Sequence, residues 1–187
     1  MTPPAPNATL PDLFAAGGES GALMRGIDWS ASPLGRPERW PRNLQVLVPV
    51  ILASQFPMRI LWGAEMIMLY NDSYRPILGE SKHPAAMASR TQDHFSEVWS
   101  TVGPMFERVR AGEAIALYDT LLPLDRNGYL EECYFTLSYS PIPGDDGIIG
   151  GVLGVVHETT RRVLGDRRLA TLRALSATDD ARTVPEA

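Results

Sequence analysis

The feature that most constrains the fold of this chain is a change of periodicity near residue 159. Residues 148–158 (IIGGVLGVVHE) are almost continuously apolar, which is typical of a central strand that is covered on both faces. From Thr160 onward the apolar residues recur at helical spacing instead. The leucines of this stretch are Leu164, Leu169, Leu172 and Leu175. The sequence therefore predicts a buried strand that leads directly into a helix.

Four further apolar runs predict the rest of a sheet. Residues 57–63 (PMRILWG) and 66–72 (MIMLYND) are short and close together, and they indicate a β-hairpin. The runs 116–126 and 129–142 are joined by Asn127-Gly128, which is the strongest short-range hairpin signal. The sequence thus predicts two strands early in the chain and three strands late in it.

The region between these two groups of strands has helical spacing. It is divided into residues 73–79, 83–90 and 94–112, and the last of these is the longest predicted helix. The predicted order is two strands, several short helices, three strands and one exit helix. This order indicates an α+β fold in which short helices cover one face of a five-stranded antiparallel sheet.

Changes in composition divide the chain into five segments. The Pro-, Ala- and Gly-rich start favours a flexible segment, and residues 41–54 form an apolar helix that must cover the sheet or pair with a second copy. The predicted segments are a flexible start (1–25), a loop with a helical cap (26–55), the core (56–158), an exit helix (159–178) and a linker (179–187).

Charge and composition exclude several classes of protein. The net charge of −5 argues against a broad nucleic-acid interface, which needs clustered Lys and Arg. The single cysteine, Cys133, excludes an internal disulfide and a Cys-based zinc site. The longest apolar run, 46–53, is far shorter than the roughly 20 residues of a membrane span. The start lacks the basic and apolar regions of a signal peptide, so we expect a cytoplasmic chain without membrane insertion.

Several short motifs along the chain occur in the same order as in a known group of bacterial proteins. They include DWS at 28–30, LYNDSYRPILG at 69–79, LLPLDRNGYLEE at 121–132, YFTLSYSPI at 134–142 and ETT at 158–160. Residues 27 to 177 resemble the N-terminal PAS segments of bacterial multidomain sensor histidine kinases, in which a GAF domain often follows. The resemblance implies a PAS fold with a small pocket under the short helices. It also implies a parallel homodimer and GAF or kinase domains further along a longer protein.

The resemblance also implies how a signal leaves the domain. In PAS domains a D-x-T-like motif ends the last strand and anchors the exit helix. The matching residues here are Glu158, Thr159 and Thr160, where a Thr hydroxyl is suited to cap the helix and a carboxylate complements its dipole. We expect these three residues, together with Leu164 and Leu172, to transmit the signal. The alternative for the leucines is that they pack on the sheet of the same molecule.

No set of residues indicates catalysis. The chain has no G-x-S-x-G, H-E-x-x-H or Walker sequence, and its three histidines are far apart. His157 precedes Glu158 but lies at the end of a predicted strand, which is unsuited to a phospho-acceptor. We therefore expect a non-catalytic signal-input domain of a two-component system.

Cofactor binding stays open as an alternative function. A flavin photosensor needs a reactive cysteine on a helix, and Cys133 falls on a strand, where a buried small hydrophobe is the ordinary interpretation. Haem would need His83 or His94 as an axial ligand. We predict no metal site and no cofactor, with haem, flavin or a small organic ligand as the alternatives.

The pocket is outlined by five candidate residues. We expect the wall to contain aromatic side chains with a few hydroxyl and amide groups, which suits a small organic molecule. The alternative for Asn71 and its neighbour Asp72 is that they cap the helix near Ser73. An empty, packed domain used for dimerisation is equally compatible with the sequence. The candidates are Asn71, Tyr74, Trp99, Tyr134 and Thr136.

Overall fold

A computed structural model describes residues 12–182 of the 187-residue chain. Its helices are α1 (Gly18–Gly26), α2 (Arg42–Ala53), α3 (Arg75–Lys82), α4 (Thr91–His94), α5 (Trp99–Arg110) and α6 (Thr160–Arg182). Its strands are β1 (Met58–Trp62), β2 (Ile67–Tyr70), β3 (Ile115–Leu121), β4 (Leu124–Asp125), β5 (Leu130–Glu131), β6 (Tyr134–Pro143) and β7 (Ile149–Glu158). Short 3₁₀ turns lie at Pro37–Arg39, Asp72–Tyr74 and Ser96–Val98.

Five of the strands form one antiparallel sheet in the order β2-β1-β7-β6-β3. This arrangement confirms the predicted five-stranded sheet. Strand β7 lies at its centre, paired with β1 on one side and β6 on the other, as its continuous apolar sequence indicates. The remaining two strands, β4 and β5, form a separate small hairpin around the loop that contains Asn127 and Gly128.

The helices between β2 and β3 are shorter than the sequence predicts. Residues 83–88 form turns rather than a helix, because their backbone pairs with β2: the Ala88 N–H donates to the Met68 carbonyl at 2.8 Å, and the Met68 N–H donates to the Ser89 carbonyl at 2.9 Å. The helix expected over residues 94–112 is also divided. It consists of the end of α4, a 3₁₀ turn and α5.

The start of the described chain is part of the folded core rather than a flexible segment. Leu13, Phe14 and Met24 are buried. Phe14 lies 5.8 Å from Trp29, and Trp29 packs edge-to-face on Trp40 at 4.9 Å between ring centroids. The prediction of flexibility for residues 1–25 is therefore wrong over residues 12–25, and residues 1–11 lie outside the described residues.

Helix α2 covers part of the sheet with one face and leaves the other open. Leu44, Val48 and Ile51 are buried, and the helix packs against β1 and β2. Val46 and Val50 are exposed on the opposite side. The expectation that this helix covers the sheet is met, although its apolar surface is only half buried.

Helix α6 continues beyond the predicted end of the exit helix. It runs through residues 179–182, which the sequence assigned to a linker, because neither glycine nor proline interrupts residues 166–184. The rest of the predicted linker, 183–187, lies outside the described residues. Between residues 12 and 182, no helix has both the length and the apolar character that crossing a membrane requires.

Candidate functional site

A small cavity lies between the sheet and the short helices. Its volume is about 30 Å³. Strands β1, β6 and β7 provide one wall, and α3, α5 and the turns before α5 provide the other. Most of the lining side chains are apolar. They include Ile77, Val98, Val102, Leu137 and Val156.

One charged side chain, Arg59, lines this cavity. Only 3% of Arg59 is exposed, and Tyr139 accepts a hydrogen bond of 3.1 Å from its guanidinium through the phenol oxygen. The alternation of side chains along β1 places Arg59 and Leu61 on the inner face of the sheet. Opposite Arg59 in the register is Gly154, where a Cβ atom would come within 3.1 Å of the Arg59 stem. The glycine therefore makes room for the arginine.

Sequence reasoning did not single out Arg59 as a functional residue. The available signal was its position as the one charged residue in the apolar run 57–63. A charge within an alternating strand must face either solvent or a specific partner.

Of the five predicted pocket residues, only Tyr74 lines the cavity. Tyr74 is fully buried, which raises the pKa of its phenol above the ordinary value. Trp99 is only half buried and packs on Phe106 at 5.8 Å, and it is not among the lining residues.

Asn71 acts as a structural anchor and agrees with the capping alternative. Its side-chain oxygen accepts hydrogen bonds from the Tyr74 N–H at 3.1 Å and the Met58 N–H at 3.0 Å. Its amide group donates to the carbonyls of Ser54 and Phe56. Asn71 thus joins the end of α2, β1 and the turn after β2, and it does not line the cavity.

Tyr134 and Thr136 lie on the opposite face of β6 from the cavity, contrary to the pocket prediction. The cavity is walled by the apolar residues of this strand, Phe135, Leu137 and Tyr139. Alternation along the strand places Tyr134 and Thr136 on the outer face, where both are half buried. They lie instead near the base of α6.

The base of α6 brings three of the predicted signalling residues together. The Thr159 N–H donates to the Tyr134 carbonyl at 2.8 Å, and the Tyr134 N–H donates to the Thr160 hydroxyl oxygen at 2.9 Å. The Thr160 hydroxyl in turn donates to the Glu158 carboxylate at 2.8 Å. The expectation that a Thr hydroxyl caps the helix is therefore corrected for Thr160, which bonds to strand β6 instead.

Glu158 forms an ion pair that the sequence did not reveal. Arg126, in the β4–β5 loop, donates two hydrogen bonds to its carboxylate at 2.7 and 3.0 Å. Partial burial opposes ionisation of Glu158, but the hydrogen bonds from Arg126 and Thr160 outweigh it and lower the pKa of the carboxyl. Two parallel N–H···O bonds of this kind fix orientation as well as adding energy.

Arg126 also contacts the helix that roofs the cavity. Its guanidinium donates to the Pro76 carbonyl at 3.3 Å, and its backbone carbonyl accepts from the Ser81 N–H at 3.3 Å. At Gly79, where the backbone leaves helical geometry with φ of 62°, a Cβ atom would collide with the Arg126 carbonyl oxygen. Arg126 thus joins α3 to the end of β7.

Two more ion pairs attach the first turns of α6 to the sheet region. Arg162 pairs with Asp119 of β3, beside Thr136, and Arg167 pairs with Glu132 at 3.1 Å. Leu164 is half buried. Further along the helix the apolar side chains face solvent: Leu169, Leu172 and Leu175 are 52%, 60% and 60% exposed. Packing within residues 12–182 therefore does not account for these three leucines.

The residues of the cavity do not fit flavin or haem. A cavity of about 30 Å³ is an order of magnitude below the roughly 300 Å³ at which drug-sized sites begin. Cys133 and both candidate haem ligands are absent from its lining. Of these ligands, His83 forms a 2.9 Å hydrogen bond between its Nδ1 atom and the Tyr70 hydroxyl. His94 is partly buried, which lowers its pKa. Among the described residues, no three His, Cys, Asp or Glu side chains come together as a metal site would require.

Comparison with known proteins gives matches among solved structures. An RNA-binding light-oxygen-voltage receptor is 13% identical over 96% of this chain and 43% of its own length, with a TM-score of 0.50. The PAS domain of BvgS from Bordetella pertussis is 17% identical over 70% of this chain and 96% of its own, with a TM-score of 0.47. A sensory box sensor histidine kinase from Vibrio cholerae is 15% identical over 75% and 94%, with a TM-score of 0.41.

The comparisons with protein families and with curated proteins give no match. This chain spans less than half the length of the light-oxygen-voltage receptor. At such low identities the likeness is one of fold.

Proposed function

Because this chain has the fold of a PAS domain, we propose that it is a non-catalytic signal-input domain of a two-component sensor histidine kinase. The observation that carries this proposal is the direct continuation of the central strand into a long helix. Only Thr159 separates β7 from α6, so a displacement of the strand is a displacement of the helix base. The kinase and any GAF domain would lie elsewhere in a longer cytoplasmic protein.

A continuous set of contacts supports a route from the cavity to the helix. Helix α3 contributes Ile77 to the cavity wall, and its Pro76 carbonyl accepts a hydrogen bond from Arg126. Arg126 holds Glu158, which holds Thr160 at the first position of α6. A shift of α3 therefore changes hydrogen bonds that are worth about 1 kcal/mol each, which is small enough for a signal to alter.

The exposed leucines of α6 support a parallel homodimer. Three large exposed apolar side chains on a helix rich in arginine are expected to be covered in the active assembly. A second copy of the same helix fits this surface because a parallel pair brings identical leucines together. The exposed Val46 and Val50 of α2 are a second apolar surface that a dimer can bury.

The proposal is tested by uncoupling variants in the kinase that carries this domain. Thr160→Ala removes the hydroxyl that joins β6 to Glu158, and Leu172→Asp places a charge in the leucine surface. We expect both domains to stay folded by circular dichroism while kinase autophosphorylation changes about fivefold, the effect of about 1 kcal/mol. We also expect Leu172→Asp to shift the dimer toward monomer in sedimentation velocity.

The matched control is Thr171→Ala, an exposed position on the same helix whose hydroxyl bonds only within the helix. It should leave both the kinase activity and the sedimentation coefficient unchanged. Normal regulation in Thr160→Ala and Leu172→Asp would contradict the proposal. A flavin or haem absorption band in the purified wild-type domain would favour a cofactor-based sensor instead.

A further inference from the structure

The charge of Arg59 has no counter-ion in the described part of the chain. No carboxylate among the described side chains lies within ion-pair distance of its guanidinium, which is almost completely buried. Arginine keeps its proton in proteins, so the positive charge remains. Leaving a buried charge unpaired is strongly unfavourable.

The contacts that Arg59 does make satisfy it only in part. Of its five N–H groups, one donates to the Tyr139 hydroxyl at 3.1 Å, and one lies 4.0 Å from the Met68 sulfur. The Nε atom is buried and has no hydrogen-bond partner among the described residues. Four aromatic rings lie 5.1–5.6 Å from the guanidinium carbon and attract the charge. They hold the arginine in place but supply no anion.

The space next to this arginine matches a very small ligand. The cavity measures about 30 Å³, and a single water needs about 10–15 Å³ on this measure. It therefore accepts roughly two or three water-sized groups. Apart from Arg59 and the tyrosines, its walls are apolar, with Val102, Leu137 and Val156 among them. The site thus combines one polar end with an apolar remainder.

We propose that the cavity binds a carboxylate of one or two carbons, in the size range of formate and acetate, with Arg59 as its counter-ion. The guanidinium fork suits the two oxygens of a carboxylate, and the carbon end lies against the apolar wall. The Tyr139 hydroxyl accepts from Arg59 and keeps its own proton to donate.

The positive charge of Arg59 balances one negative charge on a bound ligand. Another buried cation, Lys82, contacts the Phe95 ring at 4.4 Å, but it does not line the cavity and is already paired with Glu97. A dianion such as phosphate or sulfate would therefore bring one uncompensated charge into an apolar space. This inference deepens the proposed function by naming the class of stimulus, and it rests on that function only for the role of the ligand as a signal.

The test compares acetate with acetamide, its neutral counterpart of the same shape, using the purified chain. Sodium acetate replaces sodium chloride at constant ionic strength, so that chloride is the reference anion. We expect saturable binding in the millimolar range by calorimetry, as suits a ligand of about four heavy atoms. At about ten times the dissociation constant the melting temperature should rise by about 3–5 °C, whereas acetamide should give no rise.

Two arginine variants locate the effect. Arg59→Met removes the charge and keeps a long flexible side chain, and it should weaken acetate binding at least about tenfold. Arg90→Met removes an exposed arginine that pairs with Glu65 on the surface and should bind acetate as the wild type does. If Arg59→Met does not fold, contacts between the methyl group of ¹³C-acetate and the methyl groups of Val102 and Leu137 in wild-type NMR spectra decide instead.

Three results would overturn this inference. They are equal stabilisation by acetate and acetamide, undiminished acetate binding in Arg59→Met, and no saturable binding with no methyl contacts in the wild type. Binding is measured without any output domain, so it can fail while kinase coupling through α6 holds. The reverse outcome, binding without coupling, would contradict the proposed function alone.

Discussion

At the scale of single residues, Glu158 shows how two groups share one carboxylate. One oxygen accepts from Thr160, and both oxygens accept from Arg126. The carboxylate therefore belongs to the helix base and to the β4–β5 loop at the same time. Its ionised form is the form that these donors stabilise.

The pH dependence of stability follows from this lowered pKa. A carboxyl whose folded-state pKa lies below its unfolded value stabilises the fold above the unfolded pKa, and the stabilisation disappears as pH falls through the folded pKa. We expect wild type to exceed Glu158→Gln in free energy of unfolding above about pH 5, and this difference to decrease as pH is lowered from about 5 to about 2. Urea unfolding across this pH range measures the difference.

Glu38→Gln is the control for this measurement. Glu38 is exposed and has no ion pair among the described residues, so the variant should follow the wild type at every pH. A difference between wild type and Glu158→Gln that stays constant as pH is lowered from about 5 to about 2 would contradict the assigned role of the ion pair.

Residue-level prediction from the sequence was limited by contacts between distant segments. The family resemblance directed attention to Glu158 and Thr160 at the start of the exit helix, but it did not predict the hydrogen bonds that the Thr160 hydroxyl makes. The partner of Glu158 is 32 residues away and lies in a loop, where no spacing rule applies. Arg59 was missed for a similar reason, since its aromatic neighbours come from four separate parts of the chain.

At the scale of elements, α3 and the β4–β5 hairpin meet at a glycine. Gly79 combines a positive φ of 62° with close approach to the Arg126 carbonyl. Gly63, in the β1–β2 turn, has a similar φ of 75°, but no atom lies within 4 Å of the place that a Cβ would occupy there. The two glycines thus share a positive φ and differ in their surroundings, and Gly79 also has an extended ψ of −169°.

This pair tests how much a side chain at Gly79 costs beyond the cost of a positive φ alone. We expect Gly63→Ala to lower the free energy of unfolding by about 1 kcal/mol, the cost of a positive φ in alanine. Gly79→Ala should cost at least about 1 kcal/mol more, because its Cβ displaces the hairpin that carries Arg126. Urea unfolding of both variants measures the difference, and equal losses would show that the hairpin does not press on α3.

The strands were predictable from the sequence to a greater extent than the helices. Each strand run is bounded by turn residues, and alternation along residues 133–139 correctly separated two faces of β6. The sequence did not establish which face lines the cavity, and Tyr134 and Thr136 were assigned to the wrong one. The physical criterion is burial: the more apolar face, with Phe135 and Leu137, packs under the helices.

At the scale of the whole molecule, the segment before the core (residues 12–55) is part of the folded unit. Helix α1 contacts α2. The Glu19 and Ser20 N–H groups in the first turn of α1 donate hydrogen bonds to the Asp72 carboxylate. Phe14 closes an aromatic cluster with Trp29 and Trp40. The Pro-, Ala- and Gly-rich composition of residues 1–25 suggested flexibility. It could not show that Phe14 is buried, because its partners Trp29 and Trp40 lie outside this segment.

Removing this aromatic contact should destabilise the entire domain. We expect Phe14→Ala to lower the free energy of unfolding by about 3–5 kcal/mol, the usual cost of deleting a buried phenylalanine. Phe56→Ala is the matched control, because Phe56 is 67% exposed and its loss should cost no more than about 0.5 kcal/mol. Similar stabilities for the two variants in urea would mean that the N-terminal segment is not part of the cooperative unit.

The 23 residues of α6 give the domain a lever arm about 35 Å long at about 1.5 Å per residue. The helix is attached at its base by the hydrogen bonds of Tyr134 with Thr159 and Thr160. A rotation at this point therefore displaces each residue of the helix in proportion to its distance from the base. A tilt of about 5° at the base moves the far end of a helix of this length by about 3 Å. A rearrangement too small to open the cavity visibly is therefore large enough, at the tip, to change how α6 would meet a second copy in the proposed dimer.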